Sequence, residues 1–420
     1  MKKLLFIALM SSAVAAFAVP LTVTDVSARQ RWPWNGLVDV DFKIGGDSVA
    51  DLFKVEVHAT YAGGTKKVIG RTYLEEPLRG PGWNRLTWDF GADCPETKID
   101  DMQIAVVATP MSRVQLDAQN VYMVIDLSSG PNSTRYPVRY TTTAPTLVPT
   151  NDLVACAADP NRTTKLWLKR VKGNTFPFGG TDSNKGAGIF KAHLSPYYIG
   201  IFELTQKQWA LVMDTWPAAF SNETYRAARP VEKINYEDVI GHNNWPDNKV
   251  VADSSFVGKM RARTGLATFN LPTECQWECA VRAGSTGSVF ANTSKSRYSA
   301  NSGTVDYAGT PDVGTALVGS YSANAWGIYD GLGNVHEMCL DAYASGSDLA
   351  TLYGYDGQTP VEDPIGPATH STARYHATRG GCYENSSGRA CCHDRTYCNA
   401  SYTGTRDSRV GMRVAVSPEW

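Results

Sequence analysis

The 420-residue chain predicts a mixed α+β fold, with an all-β sandwich at the N-terminus and a larger α+β domain after it. Three observations carry this. Residues 21–110 alternate apolar and polar side chains with period two between Gly-rich turns. Two short capped helices follow further along, and the remainder is rich in Gly, Ser, Asn and Tyr with few regular periods. The chain divides into a leader (1–18), a β-sandwich domain (19–110), a linker and irregular segment (111–162) and the α+β domain (163–420).

The leader is read from Lys2 and Lys3, an apolar run over 4–17, and the small-x-small triplet Ala16-Phe17-Ala18, the pattern of a secretory signal cleaved after Ala18. The run is shorter than the roughly 20 residues of a spanning helix. The mature chain is therefore expected in the periplasm or outside the cell, without a membrane anchor. Formal net charge is -1 with both signs interspersed, so the basic footprint of a nucleic-acid or anionic-membrane binder is absent. Nine cysteines (94, 156, 275, 279, 339, 382, 391, 392 and 398) in an exported chain point to disulfides. Their odd number leaves at least one over: a buried inert thiol, a reactive one, or a link to another chain.

In the sandwich, LVDVDF (37–42), FKVEVHA (53–59), RLTWDF (85–90) and QIAVV (103–107) read as half-buried strands. The turns between them are GGD (45–47), GG (63–64) and RGPG (79–82), and the spacing suits an immunoglobulin or fibronectin type III arrangement. No catalytic constellation falls in it, so it reads as a binding or spacer module. YTTTAPTLVP (140–149) reads as an extended linker. Past a strand at LWLKRV (166–171), Thr205 with Gln208 forms a capping box for a helix over 206–213, burying Trp209, Val212 and Met213 on one face. Thr273 with Gln276 caps a second helix that buries Trp277, Ala280 and Val281 and stops at Gly284. Cys275 and Cys279 lie a turn apart on it.

Four motifs in order, YYIGIFELTQKQW (197–209), LPTECQWECAVRAG (271–284), AWGIYDGLGNVHEMCLD (325–341) and RGG (379–381) with GMR (411–413), resemble the formylglycine-generating enzyme family, the sulfatase-modifying factors. The resemblance spans the last 250 or so residues and implies an elaborated C-type-lectin-like fold. It also implies a calcium site with Asp330 and Glu337 ligating by side chain and Gly333 and Val335 by carbonyl. Hard oxygen donors on a Gly-rich turn suit that ion. A second calcium site would use Asn301, with Asp306 or Asp312 as carboxylate. His336 stands where the family has Trp and reads as a structural imidazole.

Active members of the family bind copper(I) through a cysteine pair shortly after the two glycines, and paired thiolates suit a soft ion. Counted from Gly380 and Gly381, those positions are Asn385 and Ala390, which cannot ligate it. Cys382, Cys391, Cys392 and Cys398 are the candidate catalytic residues, since a small insertion would move Cys391 or Cys392 to the second position with Cys398 or Cys382 as partner. Disulfides, a soft metal and isolated buried thiols all stay open for them. No nucleophile elbow, paired helical histidines or phosphate loop is present, so hydrolysis has no signature.

Two functions follow. The resemblance implies oxidation of an exported sulfatase's cysteine to formylglycine. The displaced pair points instead to a non-catalytic, calcium-stabilised module that binds a protein or glycan through Tyr383, Asn385, Arg389 and Tyr397.

Overall fold

The structure, a computed structural model, describes residues 22–31, 35–45, 52–95, 101–180, 189–241, 250–286, 314–343, 349–366, 375–384, 390–399 and 406–417. The leader, Asn301, Asp306, Asp312, Asn385 and Arg389 lie outside the described residues. No helix among the described residues is long and apolar enough to cross a membrane.

The N-terminal module is a sandwich of β1 (Val23–Gln30), β2 (Leu37–Ile44), β3 (Phe53–Tyr61), β4 (Lys66–Ile69), β5 (Leu78–Arg79), β6 (Gly82–Asp89) and β7 (Gln103–Pro110). One sheet runs β1-β2-β6; in the other, β3 pairs with β4, β5 and β7, and every pairing is antiparallel. Alternation sends Val40, Phe42, Val57, Leu86 and Trp88 into a shared apolar core, while the intervening Lys54 and Glu56 stay in water. Each fully buried large side chain contributes roughly 1.5–3 kcal/mol of transfer free energy.

Residues 111–162 differ from the expected linker. They contain β8 (Tyr122–Asp126), β9 (Val138–Thr141) and three short helices, Arg113–Asp117, Leu153–Ala158 and Pro160–Thr163. Tyr140, read as linker, is buried in β9. β8 pairs with β9 and with β10 (Lys165–Val171), and β9 touches β6 in parallel through Asn84 and Val138 alone. The module's sheet therefore continues into the second domain as one nine-stranded sheet ending β10-β13-β20-β14, with β13 (Tyr197–Gly200), β14 (Phe269–Asn270) and β20 (Ala415–Val416). The junction is tight: a Cβ on Gly82, at φ +100, would come within 2.9 Å of the Thr264 carbonyl. Nearby, the Arg135 guanidinium stacks 3.6 Å from the Trp83 ring centre.

The remaining strands form two smaller sheets. β11 (Asn174–Phe178), β12 (Phe190–Leu194) and β16 (Val361–Glu362) make one. β15 (His336–Ala342), β17 (Tyr375–Arg379), β18 (Arg395–Asn399) and β19 (Val410–Met412) make the other, in the order β18-β17-β15-β19. Both expected capping boxes form, Thr205 with Gln208 on helix Gln206–Met213 and Thr273 with Gln276 on helix Glu274–Arg282. Each cap stabilises its helix by about 1 kcal/mol. The second helix ends one residue before the expected glycine: Ala283 takes the left-handed conformation at φ 47, and Gly284 continues it at φ +83. Trp209 stacks flat on Phe256 at 5.2 Å, locking the first helix to helix Phe256–Thr264.

Candidate functional site

Helix Glu274–Arg282 is buried on every side and carries two acids one turn apart, Glu274 and Glu278. Buried carboxylates need partners, and these come from the far end of the chain. Glu274 accepts from Arg379 at 2.8 Å and from both Arg395 Nε and Nη2 at 2.6 Å. Glu278 accepts from Arg379 and, at 2.8 Å, from Arg282. Burial opposes the charge on Glu274, yet Arg395 and then Arg379 outweigh it and hold the carboxyl below its usual range. Asp341 joins from β15, accepting from the Glu274 amide at 2.7 Å and the Tyr353 hydroxyl at 2.9 Å. Burial first, then the neighbouring Glu274, push Asp341 up to about 7. This network clamps β17 and β18 onto the helix.

Trp277 links it to a second charged cluster by donating its indole N–H to Glu337 at 2.7 Å. Arg413, of the GMR motif, grips both oxygens of Glu337 at 2.8 and 2.7 Å. Glu203, which the sequence reading did not single out, faces the same loop. Its carboxylate accepts from Asn334 Nδ2 at 2.5 Å and from the Val335 amide at 3.1 Å. Burial, then the neighbouring Asp330 and Glu337, drive Glu203 well above the usual carboxylate range. Asp330 Oδ2 accepts from the Gly319 amide at 2.6 Å.

The loop itself is sharply wound, with Asp330, Gly333 and Asn334 all at positive φ. Its Gly333 amide donates to the Gly380 carbonyl at 2.8 Å, and the Tyr383 amide donates to the Asn334 carbonyl at 2.8 Å, so the cation loop and the RGG turn are laced together. Gly380 sits at φ +90, where a Cβ would press on Trp277 at 3.0 Å and on the Gly331 carbonyl at 3.1 Å. Glu203, Asp330 and Glu337 bring carboxyl oxygens to this loop beside its backbone carbonyls, the donor type a hard cation takes. By side chains alone, no group of three or more His, Cys, Asp or Glu among the described residues is arranged to hold a metal ion.

The four candidate cysteines have different surroundings. Cys392 is sealed in an apolar cluster with Trp277, Val281, Cys339 and Ala390, and burial pushes its thiol up to about 12. Cys391 is buried with Sγ 3.8 Å from His393 Nε2. Cys398 is half-buried on β18, packed on the main core with Sγ 3.7 Å from the His376 carbonyl. Cys382 is buried beside the RGG turn. The expected disulfides do not form: none joins any of the described cysteines. Cys275 and Cys279 do face one core together, as expected from their spacing.

Of the surface candidates, Tyr383 is a correction. It is buried, packs edge-on against Phe220 at 5.3 Å, and its hydroxyl lies 3.3 Å from Ser408 Oγ. The loop-to-turn lacing draws it inward. Tyr397 is 52% exposed and builds an aromatic patch with Tyr375 at 4.6 Å and Tyr343 at 5.0 Å, the last carrying the Arg395 guanidinium 5.2 Å above its ring centre.

The C-terminal part of the chain is similar to known proteins. Residues 168–418 match the sulfatase-modifying factor enzyme 1-like domain. Chaperone protein LppX of Paenibacillus barcinonensis is 30% identical over 222 residues, 45% of this chain and 76% of that protein. The formylglycine-generating enzyme of Streptomyces coelicolor is 29% identical over 201 residues, 46% of this chain but only 51% of the enzyme, about half its length. Among solved structures, Treponema denticola variable protein 1 aligns with a TM-score of 0.46 at 23% identity, covering 61% of this chain and 96% of that one. The match over more than half of its residues makes this chain a member of the sulfatase-modifying factor enzyme 1-like family.

Proposed function

We propose that the C-terminal domain is a calcium-stabilised binding module that presents the Tyr397 patch to an exported protein or a glycan, and not a copper oxidase. The observation that carries this reading is Ala390. It occupies the second copper position of the resembling enzymes and lies fully buried in an apolar cluster, beside a Cys392 thiol that burial keeps protonated at neutral pH. A copper(I) pair needs two thiolates facing one point. Exposed tyrosines, by contrast, give large, rigid contact area with a polar tip. Calcium would be held by the Asp330 and Glu337 side chains with the Gly333 and Val335 carbonyls, as the resemblance implies; its chemistry there is to fix the loop, not to react. The Lys2/Lys3 leader supports export to the periplasm or beyond.

The oxidase is the second reading, favoured by the 29% identity to a formylglycine-generating enzyme. One experiment separates the two. The mature protein is loaded with copper(I), incubated with a sulfatase-derived cysteine peptide under oxygen, and the peptide weighed by mass spectrometry. No conversion, together with ligand binding lost in Tyr397→Ala at an unchanged melting temperature, supports the binding module. Copper-dependent formylglycine formation overturns it. Chelation of calcium is expected to lower the melting temperature in either case.

A further inference from the structure

We infer that a cleft over the seam between the sandwich and the second domain binds a neutral saccharide. At the seam, β6 and β9 touch through Asn84 and Val138 alone, and Val138 pairs in turn with Ile125 of β8. Paired residues share a sheet face, so alternation puts Trp83, Arg85, Asp126 and Pro137 together on the opposite face. Asp41 of β2, directly across from Arg85, joins them. With Arg135 and the Ser and Thr side chains of the 128–134 loop they line a cavity of about 270 Å³. That is the small end of the range for ligand sites, and a junction between two packed units is a preferred place for one.

The chemistry of the lining selects the ligand. Two acids, Asp41 and Asp126, meet two arginines, Arg85 and Arg135, so the wall offers a charged ligand no net attraction. Asp41 and Arg85 are matched to each other, Nε to Oδ1 at 2.7 Å and Nη2 to Oδ2 at 3.0 Å. The other two are open. The Arg135 guanidinium lies 3.6 Å from the Trp83 ring centre, and its donors have no acceptor among the described residues. Asp126 uses Oδ1 on the Ser128 amide at 2.9 Å, while its Oδ2 has no donor among them. An arginine already stacked on an indole gives up little freedom when it binds. A fixed fork of donors and a free carboxylate oxygen in one cavity suit a ring of adjacent hydroxyls, each able to donate and to accept. The loop hydroxyls continue that mixed pattern. Pro137 and the indole edge give the C–H face of a pyranose an apolar wall.

The test is a glycan array probed with the whole purified protein, followed by calorimetric titration with the strongest neutral hit. A neutral glycan is expected to bind at millimolar concentration or below. Affinity should fall about tenfold or more in Arg135→Met and in Asp126→Asn, since each removes a hydrogen bond to a charged group. Arg135 is exposed, and Asn at 126 keeps an oxygen for the Ser128 amide, so both variants should melt at the temperature of the parent. Tyr397→Ala should leave this affinity unchanged, because the cleft shares no residue with the Tyr397 patch proposed above. No neutral glycan bound, a preference for acidic glycans, or affinity unchanged in both cleft variants overturns the assignment. Affinity lost in Tyr397→Ala alone overturns it too, by placing the sugar on the patch.

Discussion

The two halves of this protein differ in how much charge they bury. The sandwich buries mainly apolar side chains, and an ion pair such as Arg85 with Asp41 at 2.7 and 3.0 Å stays partly open to water. Its buried charges, Arg79 and Asp39, each pair with a partner that keeps some exposure, Glu75 and Arg31. In the C-terminal domain, arginines 379, 395 and 413 and glutamates 203, 274, 278 and 337 are all buried. An apolar core loses transfer and cavity energy where a side chain is cut back, without leaving a charge stranded. A buried ionic lattice is held by mutual neutralisation, so losing one member strands the others.

The largest effect should come from Arg379→Met. It leaves Glu274 and Glu278 short of a shared partner, and urea denaturation should register a loss of about 3–5 kcal/mol in the C-terminal domain. Acid acts on the same half with two opposed signs: Asp341, raised to about 7, adds stability as pH falls below 7, whereas His376 removes it. His376 is fully buried, stacked on Tyr236, and burial lowers its pKa from 6.5 to about 4. The unfolded chain therefore takes up the proton first. Stability from this group is complete above pH 6.5 and lost as pH falls towards 4, by roughly 3 kcal/mol. That loss should disappear in His376→Gln when unfolding is followed across the same pH range. The smallest effect belongs to the sandwich surface. Arg85→Met should cost at most about 1 kcal/mol, and less at high salt. Should Arg85→Met prove as damaging as Arg379→Met, the contrast between the halves fails.

The same contrast governs what could be read from sequence. Phe42, Val57 and Leu86 were legible because a half-buried strand writes its packing locally, in alternation. β8 was not: four of its five residues are buried, so YMVID shows no period, and the segment passed for linker. The Glu274 and Glu278 network escaped for a different reason. Its partners Arg379 and Arg395 lie about 100 residues away, and only the oddity of two acids on a wholly buried helix could have signalled it. Glu203 left a fainter trace, a single acid inside the apolar run IFEL. Tyr383 and Tyr397 look alike in sequence; the lacing of Asn334 to Tyr383 buries one and leaves the other outside.

The continuous nine-stranded sheet has a practical consequence for anyone dissecting the protein. The family match begins at Leu168, inside β10, whereas that strand is paired over Lys165–Lys169 by β8 from the preceding segment. A chain cut at the boundary of the match would lose that neighbour and offer a row of open amides and carbonyls to any other strand it met. Such a fragment should associate with itself, and a version beginning ahead of Val121 should not. The unit that folds is longer than the unit that is recognisable.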